Sequence, residues 1–171
     1  MKVTGPLQEM TRAIDLFDAV VSAPFGGIGL RVEGDVVAEL VYVPATVKPR
    51  KPRSGLARAA AAQVESYLAD PAFRFDLPTA PRGTEFQQRV WRAIGRIPSG
   101  ATMSYGQVAR QVRSAPRAVG QACGANWFPL LVPCHRVLAA GGIGGFAHGD
   151  DGFHLGIKRW LLRHEGVPGY A

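Results

Sequence analysis

The chain has 171 residues, 47% of them apolar, and carries a net charge of +7 at pH 7. This composition supports one medium core or two small ones and excludes a disordered chain, and no apolar run approaches the roughly 20 residues of a membrane-spanning helix. The charge is segregated: residues 1–81 hold nine Lys/Arg and nine Asp/Glu, residues 82–171 hold eleven and four, and no acidic residue lies from Phe86 to Gly149. A half-chain of this kind points to polyanion binding, against the plainer reading of a solvated arginine surface.

In chain order, residues 1–15 read as a tail, and the absence of an apolar segment there argues against a secretory signal. Leu16 to Val21, Ile28 to Val32 and Val36 to Val43 are strand-like, separated by Gly26-Gly27 and Glu33-Gly34-Asp35, which predicts an antiparallel meander. Val47 to Ser54 is a basic, proline-containing loop, and Leu56 to Leu68 is an alanine-rich helix burying Val64, Tyr67 and Leu68. Asp70 to Arg82, with Pro71, Pro78 and Pro81, reads as a linker, so residues 16–81 form one domain and residues 82–171 a second.

In the second domain Thr84 caps a helix on which Phe86, Val90, Ala93, Ile94 and Ile97 recur at helical spacing, ended by Pro98-Ser99-Gly100. Ser104 caps another, Tyr105 to Val112. A break at Arg113-Ser114 leads to a third, Ala115 to Ala125, with Pro116 in its first turn. Two short helices joined by a tight break, with Arg117 at the start of the second, fit a helix-turn-helix, although any pair of core helices could look similar. Leu130 to Val132 runs into Pro133-Cys134-His135-Arg136. A glycine-rich stretch from Gly141 to Gly152 precedes a last helix, Leu155 to His164, carrying Trp160, Leu161 and Leu162. The fold class is therefore α+β.

The tetrapeptide at Cys134 is the sharpest local feature. A thiolate is a soft nucleophile suited to attack on an alkyl carbon, and a neighbouring His or Arg favours the deprotonated form. Taken alone, the same four residues also describe an inert buried cysteine followed by two exposed polar side chains. Cys123 and Cys134 are the only cysteines, which fits a reducing, cytoplasmic compartment. With four histidines, these cysteines include no CxxC or HxxxH pairing, so no metal or other cofactor is expected.

The segment Gly83-Thr84-Glu85-Phe86-Gln87-Gln88-Arg89-Val90-Trp91 resembles the entry motif of O6-alkylguanine-DNA alkyltransferases. Ile97-Pro98-Ser99-Gly100, Ser104-Tyr105-Gly106-Gln107-Val108-Ala109, Arg117-Ala118-Val119-Gly120, Asn126 and Val132-Pro133-Cys134-His135-Arg136-Val137 continue it. Trp160-Leu161-Leu162 and His164-Glu165-Gly166 complete it, so the resemblance runs in order from about Arg82 to Val167. It implies an RNase H-like antiparallel sheet with a helix in the first domain and a winged-helix or helix-turn-helix alkyltransferase domain in the second. It further implies a monomer acting on double-stranded DNA containing O6-alkylguanine, with cooperative assembly on DNA left open and no membrane partner.

By the same resemblance, Cys134 takes the alkyl group irreversibly. His135 accepts the thiol proton through a water, Glu165 orients His135, and Tyr105 donates to the flipped guanine. Asn126 braces the active-site segment, the carbonyls of Cys134 and Val137 accept from the guanine amino group, and Ala147 offers a backbone amide to O6. Arg136 joins the substrate-binding set. Arg117 fills the gap in the duplex, approached from the minor groove, and Ala118, Cys123, Thr84 and Ser104 line the DNA side. Cys123 is a packing residue there, with no reactivity of its own.

The chain departs from the family pattern in four places, one of them His148, where glycine or a bulky residue is common. The break between the two helices is shorter than usual, Trp127-Phe128-Pro129 replaces smaller residues, and Asp150-Asp151-Gly152-Phe153-His154 is an addition whose carboxylates should point away from phosphates. The alternatives are an alkyltransferase-like protein that binds alkylated DNA without reacting, a cysteine hydrolase and a transcription regulator. The presence of Cys134 disfavours the first. A hydrolase lacks an oxyanion motif and leaves the basic half unexplained, and a regulator leaves Cys134 and Glu165 without roles.

Overall fold

A computed structural model describes residues 13–145 and 152–170; the tail before Ala13, and Ala147, His148, Asp150 and Asp151, lie outside the described residues. The chain divides into two compact units, residues 1–81 and 82–171. It is a mixed α and β structure with one small antiparallel sheet.

The first unit is a meander of β1 (Ala19–Ala23), β2 (Gly26–Glu33) and β3 (Val36–Val43). Ala19 pairs with Leu30 and Leu30 with Leu40, and the register of β2 against β3 shifts between Arg31 and Val32. The β1–β2 turn depends on Gly26, whose φ of +130° disfavours any side chain and whose missing Cβ leaves room for the Val43 carbonyl. Leu16, expected to open the first strand, sits instead in a 3-10 turn, Ala13–Leu16, and is 59% exposed. The strand starts later because Phe17 turns inward and the Asp18 carboxylate accepts from the Val32 amide at 2.7 Å.

The helix α1 (Gly55–Ala69), capped by the Ser54 hydroxyl, packs on all three strands. Its buried Ala57, Ala60 and Ala61 permit close approach. Val20, Val41 and Val43 form a cluster with Phe17 and Val47, and Leu40 and Tyr42 between them are buried too, as a strand covered on both faces requires. Within this sheet Glu39 is fully buried and receives two bonds from its cross-strand partner Arg31, at 2.6 and 2.9 Å. The proline-rich segment after α1 is not a free linker. Gln63 bonds both the amide and the carbonyl of Asp76, and Thr79 pairs with Val37 in a parallel bridge.

The second unit begins with α2 (Glu85–Ile94), held at its N-terminus by a reciprocal capping box between Thr84 and Gln87. A short β4 (Met103–Ser104) leads into α3 (Tyr105–Val112), which carries a second capping box between Ser104 and Gln107. Arg113, in the left-handed region at φ 54°, ends α3, and α4 (Pro116–Gly124) follows with proline in its first turn. The Trp91 indole donates to the Ala122 carbonyl at 2.8 Å and ties α2 to α4. Ile97, beyond the end of α2, is still buried because 3-10 bonds (Arg96 to Ala93, Ile97 to Ile94) tighten the exit. A 3-10 turn, Cys134–Arg136, runs into β5 (Val137–Leu138), which pairs in parallel with β4. The last helix, α5 (Gly152–His164), starts ahead of Leu155 and absorbs Phe153 and His154, two residues expected in a loop.

Candidate active site

The pairing of Met103 with Val137 and Ser104 with Leu138 fixes the site. It sets the first residue of α3, Tyr105, beside the end of the turn that carries Cys134, and α5 supplies the other wall.

Cys134 is 5% exposed. Asn126 holds it: its side-chain nitrogen donates to the Cys134 sulfur at 3.4 Å and to the Val132 carbonyl at 2.9 Å, while its oxygen accepts from the Phe128 amide at 2.8 Å. Every polar atom of that amide is thus engaged in fixing the segment from Asn126 to Cys134. The Cys123 thiol, on α4, lies within hydrogen-bond reach of Cys134; this contact, followed by burial, pushes the Cys134 thiol well above its usual range. At neutral pH the resting sulfur is a protonated thiol, and its activation needs a base.

His135 is 1% exposed, and its Nε2 lies 2.8 Å from the Glu165 carboxylate. Burial pulls its pKa below the usual imidazole value, against the opposing pull of Glu165, so the ring is neutral at pH 7. Its Nδ1 is buried and has no hydrogen-bond partner among the described residues. Burial alone would raise the pKa of Glu165, but the bonds from His135 and Arg136 hold its carboxyl well below the usual carboxylate range. A neutral imidazole oriented by a carboxylate, with one nitrogen left over, is an arrangement able to accept a proton.

Arg136, expected among the substrate contacts, is turned the other way. Its Nε and Nη2 donate to the two Glu165 oxygens at 2.9 and 2.8 Å and its Nη1 to the Ile97 carbonyl at 2.6 Å, a bidentate clamp on the orienting carboxylate. Cys123, expected on the DNA side, is 9% exposed and packs against Cys134. The Thr84 and Ser104 hydroxyls accept from the Gln87 and Gln107 amides at the two helix caps. Arg117 is exposed on the first turn of α4, and Ala118 next to it is half-buried.

The Tyr105 hydroxyl donates to the Gly145 carbonyl at 3.3 Å; burial and then the Cys123 and Cys134 thiols hold the phenol pKa well above its usual range, so it stays a donor. Gly144, at φ +72°, passes beside that ring, and a Cβ added there would sit 3.1 Å from it. Ala147 lies outside the described residues.

Sequence reasoning passed over Lys158. It is fully buried, and its ammonium donates to the Val137 carbonyl at 2.8 Å and the Gly145 carbonyl at 3.0 Å. The signal was available: positions 158, 161, 162 and 165 recur at helical spacing, so a lysine falls on the face that buries Leu161 and Leu162.

The family model of the 6-O-methylguanine DNA methyltransferase DNA-binding domain matches residues 85–167. A methylated-DNA–protein-cysteine methyltransferase of Methanosarcina acetivorans is 36% identical, over 88% of this chain and 99% of its own length. One of Mycobacterium bovis is 39% identical, over 85% and 89%. The crystal structure of Mycobacterium tuberculosis O6-methylguanine methyltransferase aligns with a TM-score of 0.70 at 37% identity, covering 85% of this chain and 90% of that one. That of Mycobacterium tuberculosis OGT in complex with DNA aligns at 0.71 and 37%, covering 88% and 94%.

Proposed function

The chain belongs to the methylated-DNA–protein-cysteine methyltransferase family, and from that premise we propose that it repairs O6-alkylguanine in duplex DNA by moving the alkyl group to its own Cys134. The observation that carries this reading is the buried Cys134 thiol, held by Asn126, next in the chain to a neutral His135 backed by Glu165.

The Cys134 proton passes through a water to His135 Nδ1, and the imidazolium formed is stabilised by Glu165. The sulfur attacks the alkyl carbon in line, the carbon–O6 bond breaks with its electron pair going to oxygen, and a thioether forms. The guanine anion left behind takes a proton from the Tyr105 hydroxyl, and the tyrosinate is reprotonated from the solvent to which His135 releases its proton. No side-chain chemistry available here reverses a thioether at neutral pH, so each molecule acts once. Asn126 and Arg136 are positioning residues, the first for sulfur and the second for Glu165.

The target base must leave the stack to reach a sulfur this buried. Exposed Arg117, at the start of α4, suits the place vacated in the duplex. The α3–α4 pair then acts as a helix-turn-helix entering from the minor groove, with the Arg-rich surface of residues 86–149 on the phosphates. In this reading the second unit is the DNA-binding and reacting domain of a winged-helix type, and the first, with its meander and single helix, is the RNase H-like domain. The protein acts as a cytoplasmic monomer, without metal or other cofactor.

The test is to mix the protein with a duplex carrying one O6-methylguanine and record intact and peptide masses, with Cys134→Ser alongside. One methyl group per molecule on the peptide containing Cys134, absent from the variant, is the expected result. Tight lesion binding with no mass gain would overturn the reading in favour of a non-reacting binder of alkylated DNA.

A further inference from the structure

We propose that Cys123 and Cys134 form a reversible disulfide, in which Cys123 captures an oxidised Cys134 before that sulfur is lost to further oxidation. The proposal goes beyond alkyl transfer, and its direct test needs no DNA.

Cys123 is a nucleophile that the transfer chemistry leaves unused. Read from sequence it is an inert packing residue. The fold instead sets it on α4 at 9% exposure, with its thiol within hydrogen-bond reach of Cys134, itself 5% exposed. A disulfide holds its sulfurs at about 2 Å, so a short approach of the two side chains closes the bond. Asn126 holds both partners: its backbone amide donates to the Cys123 carbonyl at 3.2 Å and its side-chain nitrogen to the Cys134 sulfur at 3.4 Å. The Trp91 indole, on α2, fixes the same turn of α4 through the Ala122 carbonyl at 2.8 Å. Between the two cysteines the Val132 amide donates to the Phe128 carbonyl at 2.8 Å, so the chain is already folded back on itself. The entropy of bringing the two sulfurs together is therefore met by the fold, which favours capture within the molecule over attack by a second oxidant.

The co-reactant is a hydroperoxide such as hydrogen peroxide, smaller than the alkylated base. The Cys134 thiol gives its proton to His135 through a water, as in transfer, and the sulfur attacks the peroxide oxygen–oxygen bond. A sulfenic acid forms on Cys134, and the departing hydroxide takes up the proton as water. The Cys123 sulfur then attacks the Cys134 sulfur as its own proton leaves. The sulfur–oxygen bond breaks with its electron pair on oxygen, and a second water departs. Two thiols are oxidised by two electrons to one disulfide, and one peroxide is reduced to two waters. Without Cys123 the sulfenic acid meets a second peroxide and becomes a sulfinic acid, which thiols do not reduce. A protein that uses its sulfur once loses the whole molecule by that route, whereas a dithiol reopens a disulfide.

The experiment exposes the full chain to hydrogen peroxide at neutral pH, with Cys123→Ser and Cys134→Ser alongside, and blocks free thiols in denaturant before digestion. Trypsin leaves both cysteines on one peptide, residues 118–136, where the disulfide appears as the loss of two hydrogen atoms. Chymotrypsin cuts after Trp127 and separates the cysteines, so the two pieces stay joined only through sulfur. Wild type should give the joined pieces, released by dithiothreitol, and neither variant should. Cys123→Ser should accumulate Cys134 carrying two added oxygens. Transfer from an O6-methylguanine duplex is then measured after dithiothreitol, each protein against its own untreated sample. Wild type should regain most of its transfer and Cys123→Ser about tenfold less, because a sulfinic acid is not returned by thiols. A wild-type Cys134 that gains two oxygens while Cys123 stays a free thiol would overturn the proposal, as would equal recovery in the two proteins. Sulfurs left unchanged by a peroxide excess that oxidises the unfolded chain would overturn it too, since the pair would then be closed to oxidants. If Cys123→Ser fails to fold, the wild-type peptides decide alone. Absence of transfer from untreated wild type would overturn the alkyl-transfer reading and leave the disulfide to be judged by the masses.

Discussion

Replacing Glu165 with Gln removes one charge and keeps the shape. The carboxylate side chain is fully shielded from solvent and takes three bonds of 2.8–2.9 Å, one at His135 and two from Arg136. Breaking a buried pair typically costs about 3–5 kcal/mol because the remaining charge is stranded. Glutamine keeps one oxygen for Arg136, and the guanidinium keeps the Ile97 carbonyl, so a loss of about 2 kcal/mol is the expected figure. For a cooperative unit of this size that is a fall of roughly 8–16 °C in Tm. The pH dependence follows from the sign of the shift. The folded carboxyl pKa is depressed, so its stabilisation is complete above the unfolded value near 4.3 and is lost only as pH falls through the folded one. The gap between wild type and variant should therefore be constant from pH 6 to 8. Transfer should slow by about 100-fold or more, because the imidazole loses the partner that orients it. Scanning calorimetry at three pH values and single-turnover mass spectrometry measure both quantities. A variant within about 2 °C of wild type that transfers at the wild-type rate would refute the account of the site.

Two further outcomes follow from the same geometry. The His135 pKa lies below the ordinary imidazole range, so the ring loses its capacity as a base only as pH falls through that lowered value. The transfer rate should be level from pH 7 down to about 6.5, the usual imidazole value, and fall only in more acidic buffer; a decline already under way at pH 7 in a stopped-flow profile would contradict a buried neutral base. Arg117→Ala should slow transfer from duplex by about tenfold or more while leaving reaction with free O6-benzylguanine unchanged, since the residue is exposed on the first turn of α4. Equal losses on both substrates would remove Arg117 from the DNA-side role.

The parts of the fold legible in sequence were those settled by neighbours in the chain. Thr84 with Gln87 and Ser104 with Gln107 close their capping boxes within four residues, and Pro116 opens α4 by its own fixed φ. Contacts across distance were less legible. Leu16 had strand character, but Asp18 and Phe17 decide where the strand starts. The prolines after α1 suggested a linker, and its contacts with Gln63, Tyr67 and Val37 further back in the chain show that it is docked. In the site, Cys134, His135 and Glu165 were found by motif. Arg136 shares the same tetrapeptide, yet its direction depends on a carboxylate 29 residues away. Lys158 escaped because a charged residue on an apolar face resembles an error in the helical pattern until its acceptors are known.

The two-residue pairing of β4 with β5 limits how the length of this chain can vary. A single residue inserted at Thr102 or Met103 would slip the register by one and turn alternate side chains to the opposite face, carrying Tyr105 away from the sulfur while every helix stayed intact. At Gly141 and Gly142, a short way past the same strand, an added Cβ would meet nothing within 4 Å. Natural variants of this protein should therefore tolerate insertions and deletions at the glycines and show a fixed spacing between Thr102 and Tyr105.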